Sequence, residues 1–195
     1  MGFASILTFA HQLVRSHTHP GDHVIDATIG NGNDTLFLAE QVGKQGVVYG
    51  FDIQQEAIIS TTKRFARAER TMDNVRLIHD SHDRMLEYIP AEDHGRIAAI
   101  MFNLGFLPGA NETVITTTST TLPALQDSLA LLRPHGIISV VLYPGHDGGD
   151  TEAVAVHKWA ESLPAREYQV LSYRFLNKPS RAPYLLAIEK HHVRR

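Results

Sequence analysis

Residues 26–34 constrain the fold of this chain more than any other stretch. Their sequence is Asp-Ala-Thr-Ile-Gly-Asn-Gly-Asn-Asp, and it follows the apolar pair Val24-Ile25 and precedes a segment with helical character that extends to Val42. Glycine lets a backbone pass close to a ligand, and the unpaired N–H groups at a helix N-terminus would face that ligand. A strand that turns through small residues into a helix is typical of α/β proteins that hold a nucleotide-like cofactor.

A second apolar run, residues 47–51, ends in Asp52, twenty residues beyond Gly32. An acid at that distance from a glycine-rich loop can accept hydrogen bonds from both hydroxyls of a ribose. We therefore expect Asp52 to bind the ribose of the cofactor.

The charges around the loop discriminate between two cofactors. The dinucleotide fingerprint G-x-G-x-x-G fails here because Thr35 occupies its last position, and a pyrophosphate would lie beside Asp26 and Asp34. S-adenosylmethionine carries a sulfonium and an ammonium but no phosphate, so nearby carboxylates favour it. The pattern acid-x-Gly-x-Gly-x-Gly fits with Thr28 in place of the first glycine. S-adenosylmethionine is the predicted cofactor, and an NAD-dependent oxidoreductase is the alternative from another class.

The order of apolar and amphipathic segments predicts the fold class. After an amphipathic N-terminal helix, strand patterns at 23–27, 46–52, 75–79, 96–102 and 137–142 alternate with helical patterns, and two strands at 168–175 and 184–189 follow without a helix between them. Such alternation predicts an α/β fold with a mostly parallel seven-stranded sheet, helices on both faces and a C-terminal antiparallel hairpin. This is the Rossmann-like sheet of class I methyltransferases. We expect a single S-adenosylmethionine-dependent methyltransferase domain over residues 1–195.

Composition excludes several classes of protein. The chain has no cysteine, which excludes disulfides and thiol catalysis, and no apolar stretch approaches the roughly 18 residues of a membrane span. The N-terminus lacks signal-peptide features, so we expect a cytoplasmic protein. The formal net charge is −3, but clustered cations leave room for a phosphate-contacting surface; they are Lys63, Arg64, Arg67, Arg70, Lys178, Arg181 and the basic residues from Lys190 to Arg195. The amphipathic helices allow a homodimer without requiring one.

Ligands of doubly wound sheets bind beyond the carboxyl ends of the strands, so the residues there are the candidate site. Asp80 and Ser81 are expected to reach the adenine edge, and Asp26 or Asp34 to lie near the ammonium group of the methionine. The full set of predicted cofactor-binding residues is Asp26, Thr28, Gly30, Asn31, Gly32, Asn33, Asp34, Asp52, Ile53, Gln54, Asp80, Ser81, His82 and Asn103.

Asn103 is the predicted catalytic residue. It begins Asn-Leu-Gly-Phe, where amino-methylating enzymes of this fold carry Asn-Pro-Pro-Tyr, and its amide oxygen would orient the target amine while Phe106 stacks on the base. Leu104 and Gly105 would contact the substrate. The alternative is that Asn103 only ends a turn after the fourth strand.

Tyr143 and His146 follow the fifth predicted strand and are the remaining catalytic candidates. Either could orient the substrate or accept a proton through water, although a His-Asp pair such as His146-Asp147 is more often part of a solvated loop. The other histidines, His11 among them, lack the spacing of a known metal motif, so no metal site is predicted.

With these residues, the chain resembles a bacterial family labelled putative rRNA methylase, which includes the methyltransferase for 5-aminomethyl-2-thiouridine at the tRNA wobble position. The motifs that carry the resemblance are Asp26-Ala27-Thr28-x-Gly30-Asn31-Gly32-x-Asp34-Thr35, Asp80-Ser81-His82, Asn103-Leu104-Gly105-Phe106-Leu107-Pro108-Gly109, Tyr143-x-Gly145-His146 and Asn177. The resemblance implies S-adenosylmethionine as methyl donor and an amine of the tRNA anticodon stem-loop as acceptor.

The chain departs from the family pattern at Ala110-Asn111-Glu112 and in the segment after Asn177. Both lie where the family would hold its substrate, and Asn177 and Arg181 are the substrate-binding candidates of the later segment. An rRNA or a small molecule therefore stays open as the alternative acceptor.

Overall fold

Seven strands form one sheet in the computed structural model, which describes residues 2–105, 115–145 and 148–192. Their order across the sheet is β3-β2-β1-β4-β5-β7-β6. The strands are β1 (His23–Asp26), β2 (Val47–Asp52), β3 (Val75–His79), β4 (Ile97–Leu104), β5 (Leu132–Leu142), β6 (Tyr168–Tyr173) and β7 (Tyr184–Lys190).

Six α-helices lie among the described residues: α1 (Ile6–His17), α2 (Asn33–Val42), α3 (Gln55–Arg67), α4 (Met85–Tyr88), α5 (Thr118–Leu131) and α6 (Gly149–Glu161). Two single 3-10 turns, His82–Arg84 and Ala91–Asp93, complete the connections around α4. No helix in the described ranges is long and apolar enough to cross a bilayer.

The sheet confirms the predicted fold class. Strands β1 to β5 pair in parallel, while β7 pairs antiparallel with both β5 and β6. The last two strands form the predicted hairpin, but its second strand enters the sheet and leaves β6 at the edge. This order brings the carboxyl ends of β1, β2, β3, β4 and β5 to one edge.

The apolar residues of the strands face two helical layers. On one face, buried side chains such as Ile100 and Phe102 pack with residues of α4, α5 and α6, for example Leu125. On the other face, Met101 packs with Phe65 and with residues of α1 and α2. Strand β4 is buried on both faces, which explains its uninterrupted apolar sequence.

Strand β5 begins five residues earlier than its sequence predicts. Leu132 already pairs with Ile97, and the register then shifts before Ile137 continues the ladder. Lys190, on β7, caps the C-terminus of α5. Its Nζ donates to the carbonyls of Leu129 (2.7 Å) and Leu132 (2.8 Å). Arg133 forms an ion pair with Asp22 at 2.6 Å. The polar segment 133–136, whose composition is typical of a turn, therefore joins the strand through tertiary contacts.

Candidate active site

A cavity of about 500 Å³ opens at the carboxyl edge of the sheet, where the sequence placed the site. Most of the predicted residues line it. They are Thr28, Gly30, Asn31, Asn33, Asp34, Asp52, Ile53, Gln54, Asp80, Ser81, His82, Asn103, Gly105 and Tyr143.

Five other predicted residues are not part of the cavity lining. Asp26 and Leu104 are buried beneath it, Gly32 packs between helices, and Asn177 and Arg181 lie in an exposed loop. Phe106 and His146 fall outside the described residues, and their proposed roles stay predictions.

Asp52 ties the end of β2 to the glycine loop. Its Oδ2 accepts a hydrogen bond from the backbone N–H of Gly30 (2.9 Å), and its Oδ1 accepts one from the N–H of Gln54 (2.9 Å). Gly30 has a φ of +54°, a left-handed conformation that favours glycine. Burial raises the pKa of Asp52, while the two N–H donors oppose that rise. Each carboxylate oxygen keeps a further lone pair, so ribose hydroxyls could still donate to Asp52.

Asp26 is buried below the glycine loop, whereas it was predicted from the sequence to bind the cofactor. It is fully buried, accepts the N–H of Thr28 at 3.2 Å and the hydroxyl of Thr35 at 2.6 Å, and does not face the cavity. Burial, and then the nearby charge of Asp34, raise its pKa from 3.8 to about 7. Of the two acids expected near an ammonium group, Asp34 alone lines the cavity.

Gly32 allows α2 to approach α3 closely. It precedes α2 with a φ of +73°, and a Cβ at this position would lie 2.5 Å from Oγ1 of Thr61 and 2.9 Å from its Cα. The neighbouring Asn31 is also held by α3, because its carbonyl accepts from Nε of Arg64 and its Oδ1 from the hydroxyl of Ser60. Gly32 therefore shapes the loop without lining the cavity. Arg64 uses its Nε to hold the loop at Asn31.

Asp34 holds the predicted catalytic amide. Its Oδ2 accepts from Nδ2 of Asn103 at 2.6 Å, while its Oδ1 is 2.6 Å from Nε2 of His11 on α1. The backbone N–H of Asn103 donates to Oγ1 of Thr28 at 2.7 Å. An amide nitrogen only donates, so Oδ1 is the atom of the Asn103 side chain that can accept from a substrate.

Asp80 and Ser81 are already hydrogen-bonded within the chain. The N–H of Ser81, a residue expected to reach the adenine edge, donates to Oδ1 of Asp80 at 2.8 Å. Oδ2 of Asp80 accepts from Arg84 and from the hydroxyl of Tyr88 (2.6 Å). The hydrogen bond from Tyr88, followed by that from Ser81, lowers the pKa of Asp80, so this acid is ionised beside the cavity.

His82 carries a buried nitrogen with no partner among the described residues. Its Nδ1 is 3.1 Å from the carbonyl of Ala27, and Nε2 makes no hydrogen bond. Burial lowers the pKa of His82, which keeps the ring neutral. A neutral ring that donates through Nδ1 has a lone pair on Nε2, so it offers a buried acceptor to a ligand.

Tyr143 lies at the end of β5 and lines the cavity. Burial, with a smaller effect from the charge of Asp34, raises the pKa of its hydroxyl. The hydroxyl therefore keeps its proton near neutral pH and can donate a hydrogen bond, but it is a poor proton acceptor in this site.

One wall of the cavity, formed by residues at the start of α5 and by α1, was not predicted from the sequence. Thr117 is the N-cap residue of α5, but its side chain makes no capping bond. Instead, the hydroxyls of Thr116 and Thr121 donate to the buried carboxylate of Glu152 at 2.7 and 2.6 Å. Thr116, Thr117 and Thr120 line the cavity together with Ile115 and with Leu7 of α1. No local pattern links these residues, because they meet only after folding.

The loop between β6 and β7 reaches the same edge of the sheet. The carbonyl oxygen of Arg181 would lie 3.3 Å from a Cβ on Gly145, just beyond β5. The guanidinium of Arg181 pairs with Asp150 at 3.1 Å, and Asn177 and Lys178 are exposed. None of these three residues lines the cavity.

The residues present fit S-adenosylmethionine. The volume is in the range of small-molecule sites, roughly 300–1,000 Å³. Asp34 and Asp52 face the cavity as acids, and the unpartnered Nε2 of His82 supplies a buried acceptor. A pyrophosphate would meet these carboxylates, whereas a sulfonium and an ammonium are attracted by them. Within the described ranges, no group of three or more His, Asp or Glu side chains could hold a metal ion.

Comparison with known proteins gives the same result. The sequence matches the family described as "Putative rRNA methylase" over residues 48–189. It is 39% identical over 188 residues to a protein of Arabidopsis thaliana named tRNA (mnm(5)s(2)U34)-methyltransferase, chloroplastic, covering 93% of this chain and 68% of that protein.

Two solved structures superpose on nearly the whole chain. A "putative rRNA-methylase" from Clostridium thermocellum superposes with a TM-score of 0.91 at 39% identity, covering 97% of this chain and 100% of the other. A "putative methyltransferase" from Streptococcus mutans in complex with SAH superposes with a TM-score of 0.85 at 34% identity, covering 97% and 99%.

Fold, cavity and relatives thus agree on the cofactor and exclude the NAD-dependent oxidoreductase that the sequence left open. The chain belongs to the "Putative rRNA methylase" family and is an S-adenosylmethionine-dependent methyltransferase with a Rossmann-like fold.

Proposed function

We propose that this methyltransferase N-methylates the aminomethyl group of 5-aminomethyl-(2-thio)uridine at the wobble position of tRNA. The observation that carries the proposal is the held carboxamide of Asn103, whose Nδ2 donates to Asp34 at 2.6 Å at the edge of the cavity. An oriented amide oxygen suits a substrate that must present a lone pair and donate an N–H. The name of the Arabidopsis thaliana relative, a tRNA (mnm(5)s(2)U34)-methyltransferase, supports the same acceptor.

Four residues around the cavity would hold the cofactor in this proposal. Asp52 would accept from the ribose, Asp80 and His82 would accept from donors of the adenosine end, and Gly30 would let the backbone pass close to it. When bound, S-adenosylmethionine supplies an electrophilic methyl group on a positively charged sulfur.

Asn103 would orient the amine, and two hydrogen bonds fix Asn103 in place. Its Oδ1 would accept one N–H of the neutral amine, so that the nitrogen lone pair points into the cavity. Asp34 and Thr28 restrain the side chain and the backbone of Asn103 respectively. Alignment of two reacting groups can lower a barrier by at most about 7–11 kcal/mol, which makes restraint of this kind valuable.

Tyr143 would orient the acceptor and not serve as the base, since its raised pKa keeps it protonated. The proton of an ammonium substrate would then leave through water or through groups at the mouth of the cavity. His146 follows directly on this segment and remains our candidate for that role.

The border of the cavity would contact the RNA. Arg174, Lys178 and Arg181 are exposed in or beside the β6–β7 loop, and cations at such a site can contact phosphates. With Asn177 they would hold the anticodon stem-loop.

We also propose that residues 1–195 form one methyltransferase domain, since α1 packs on the same sheet as the later helices. A cytoplasmic location and a homodimer stay predictions.

The test is transfer of a methyl group to a defined nucleoside. Purified protein is incubated with S-adenosylmethionine and tRNA that carries the aminomethyl precursor, and digested nucleosides are resolved by mass spectrometry. We expect the precursor to gain one methyl group, and tRNA without the aminomethyl group to remain unchanged. Methylation of rRNA or of a small molecule, with the tRNA precursor untouched, would favour the alternative acceptors and refute the proposal.

A further inference from the structure

Helix α1 contributes a histidine to the site. Nε2 of His11 lies 2.6 Å from Oδ1 of Asp34, and the ring stacks on Phe37 with centroids 3.9 Å apart and planes inclined by 2°. Arg15, one turn later on α1, lies over the same phenylalanine at 5.6 Å. The imidazole is therefore fixed in both position and tilt.

The hydrogen bonds run in one chain from α1 to the end of β4. His11 contacts one oxygen of Asp34, and Asn103 contacts the other at 2.6 Å. Asp34 is only 7% exposed and lies close enough to Asp26 to raise the pKa of that residue. A nearly buried carboxylate needs donors on its oxygens, and His11 supplies one to Oδ1 of Asp34.

Removal of the His11 donor changes what Asp34 can do. One oxygen loses its partner, so the carboxylate gains freedom to turn towards other donors. The bond to Nδ2 of Asn103 then weakens, and the amide is no longer held with Oδ1 available to a substrate. The consequence reaches Asn103 although His11 itself does not line the cavity.

We propose that His11 is a positioning residue of the methyl transfer, which acts through Asp34 to orient the carboxamide of Asn103. This inference rests on the proposed role of Asn103 as the group that orients the amine. It makes α1 part of the catalytic apparatus, in addition to its packing against the sheet.

Two substitutions separate the hydrogen bond from the packing. His11→Leu keeps an apolar contact with Phe37 but removes the donor, whereas His11→Gln can place an N–H near the position of Nε2. Gln12→Leu, at the exposed neighbouring position on α1, is the matched control. We expect His11→Leu to lower kcat about tenfold to a hundredfold, as for a lost hydrogen bond to a charged group, with KM for S-adenosylmethionine within about twofold. His11→Gln should recover most of that loss, and Gln12→Leu should match the wild type.

A double substitution tests whether the effect passes through Asn103. In an Asn103→Ala background, His11→Leu should lower kcat little further, because the group that it positions is already absent. A role in stability alone would instead lower the unfolding temperature, and its effect on kcat would add to that of Asn103→Ala. Additive losses, or a His11→Leu enzyme with wild-type kcat, would overturn the inference.

A spectroscopic measurement separates this inference from the proposed substrate. The side-chain amide signals of Asn103, assigned by their loss in Asn103→Ala, are followed by ¹H–¹⁵N NMR without any RNA. We expect them to shift in His11→Leu and to return towards the wild-type position in His11→Gln. If wild-type protein methylates no tRNA but these shifts occur, the proposed acceptor is wrong and the positioning by His11 stands. If tRNA is methylated and the signals do not move, the inference about His11 fails alone.

Discussion

Oδ2 of Asp34, in the first turn of α2, accepts a hydrogen bond from Nδ2 of Asn103, near the end of β4, at 2.6 Å. The bond joins two of the sequence motifs that carry the family resemblance, although 69 positions separate the two residues. The amide nitrogen thus donates within the protein, and in the proposed function the amide oxygen accepts from the substrate amine.

The first prediction concerns Asn103. Asn103→Ala removes the acceptor for the amine, so we expect kcat to fall about 100-fold, the size of effect seen when reacting groups are misaligned. Asn103→Asp keeps an acceptor but loses the donor to Asp34, and its charge would repel that acid, so its kcat should fall as well. Affinity for SAH, measured by calorimetry, should change little in Asn103→Ala. Loss of SAH binding would assign Asn103 to the cofactor site and not to catalysis.

The second prediction concerns Asp52. We expect Asp52→Ala to weaken SAH binding by about 1–3 kcal/mol, because it removes hydrogen bonds to a charged group and frees the Gly30 and Gln54 amides that position the loop. Asp73→Ala, in an exposed segment before β3, is the control for loss of one negative charge. Equal affinities for the two variants in calorimetry would remove Asp52 from the cofactor site.

The third prediction concerns the pH dependence of stability. The pKa of Asp26 is about 7 in the folded protein and 3.8 as an ordinary acid, so between these values the folded state holds a proton that the unfolded state has released. Asp26 therefore makes the free energy of unfolding decrease as pH rises from about 4 to about 7, by up to about 1.4 kcal/mol per pH unit.

Asp26→Asn isolates this contribution. Its amide can accept from the N–H of Thr28 and donate to the hydroxyl of Thr35, which preserves both contacts of the acid. Denaturant unfolding at a series of pH values should show the variant gaining stability relative to the wild type as pH increases through this window. A difference that is constant from pH 5 to pH 8 would contradict the raised pKa.

The fourth prediction concerns Gly32. Gly32→Ala requires a left-handed alanine and places its Cβ 2.9 Å from the Cα of Thr61, a backbone atom that cannot move alone. Gly21→Ala is the matched control, because Gly21 also has a positive φ (+92°) but a Cβ there would meet no atom within 4 Å. The control should cost about 1–2 kcal/mol for backbone strain, and Gly32→Ala should cost clearly more. Equal losses in thermal unfolding would show that α2 and α3 do not need their close approach.

The sequence was informative about the order of the elements because periodicity is a local property. The continuous apolar run of β4 indicated a central strand, and the alternating segments gave the class of sheet. It was less informative at Leu132, where strand pairing with Ile97 and the contacts of Lys190 set the boundary between α5 and β5. It gave no sign that the hydroxyls of Thr116 and Thr121 donate to the buried Glu152 on α6.

By itself, the sequence determined the strand–loop–helix unit, the edge of the sheet where the cavity lies and, through the charge of its acids, the class of cofactor. Tertiary structure decided what each acid does: Asp26 is buried under the loop, Asp34 faces the cavity, and His11 joins the site from a helix that precedes every strand. The reason is physical. Periodicity and turn chemistry act over a few residues, whereas the hydrogen bonds that join His11, Asp34, Asn103 and Thr28 connect residues 23 to 75 positions apart.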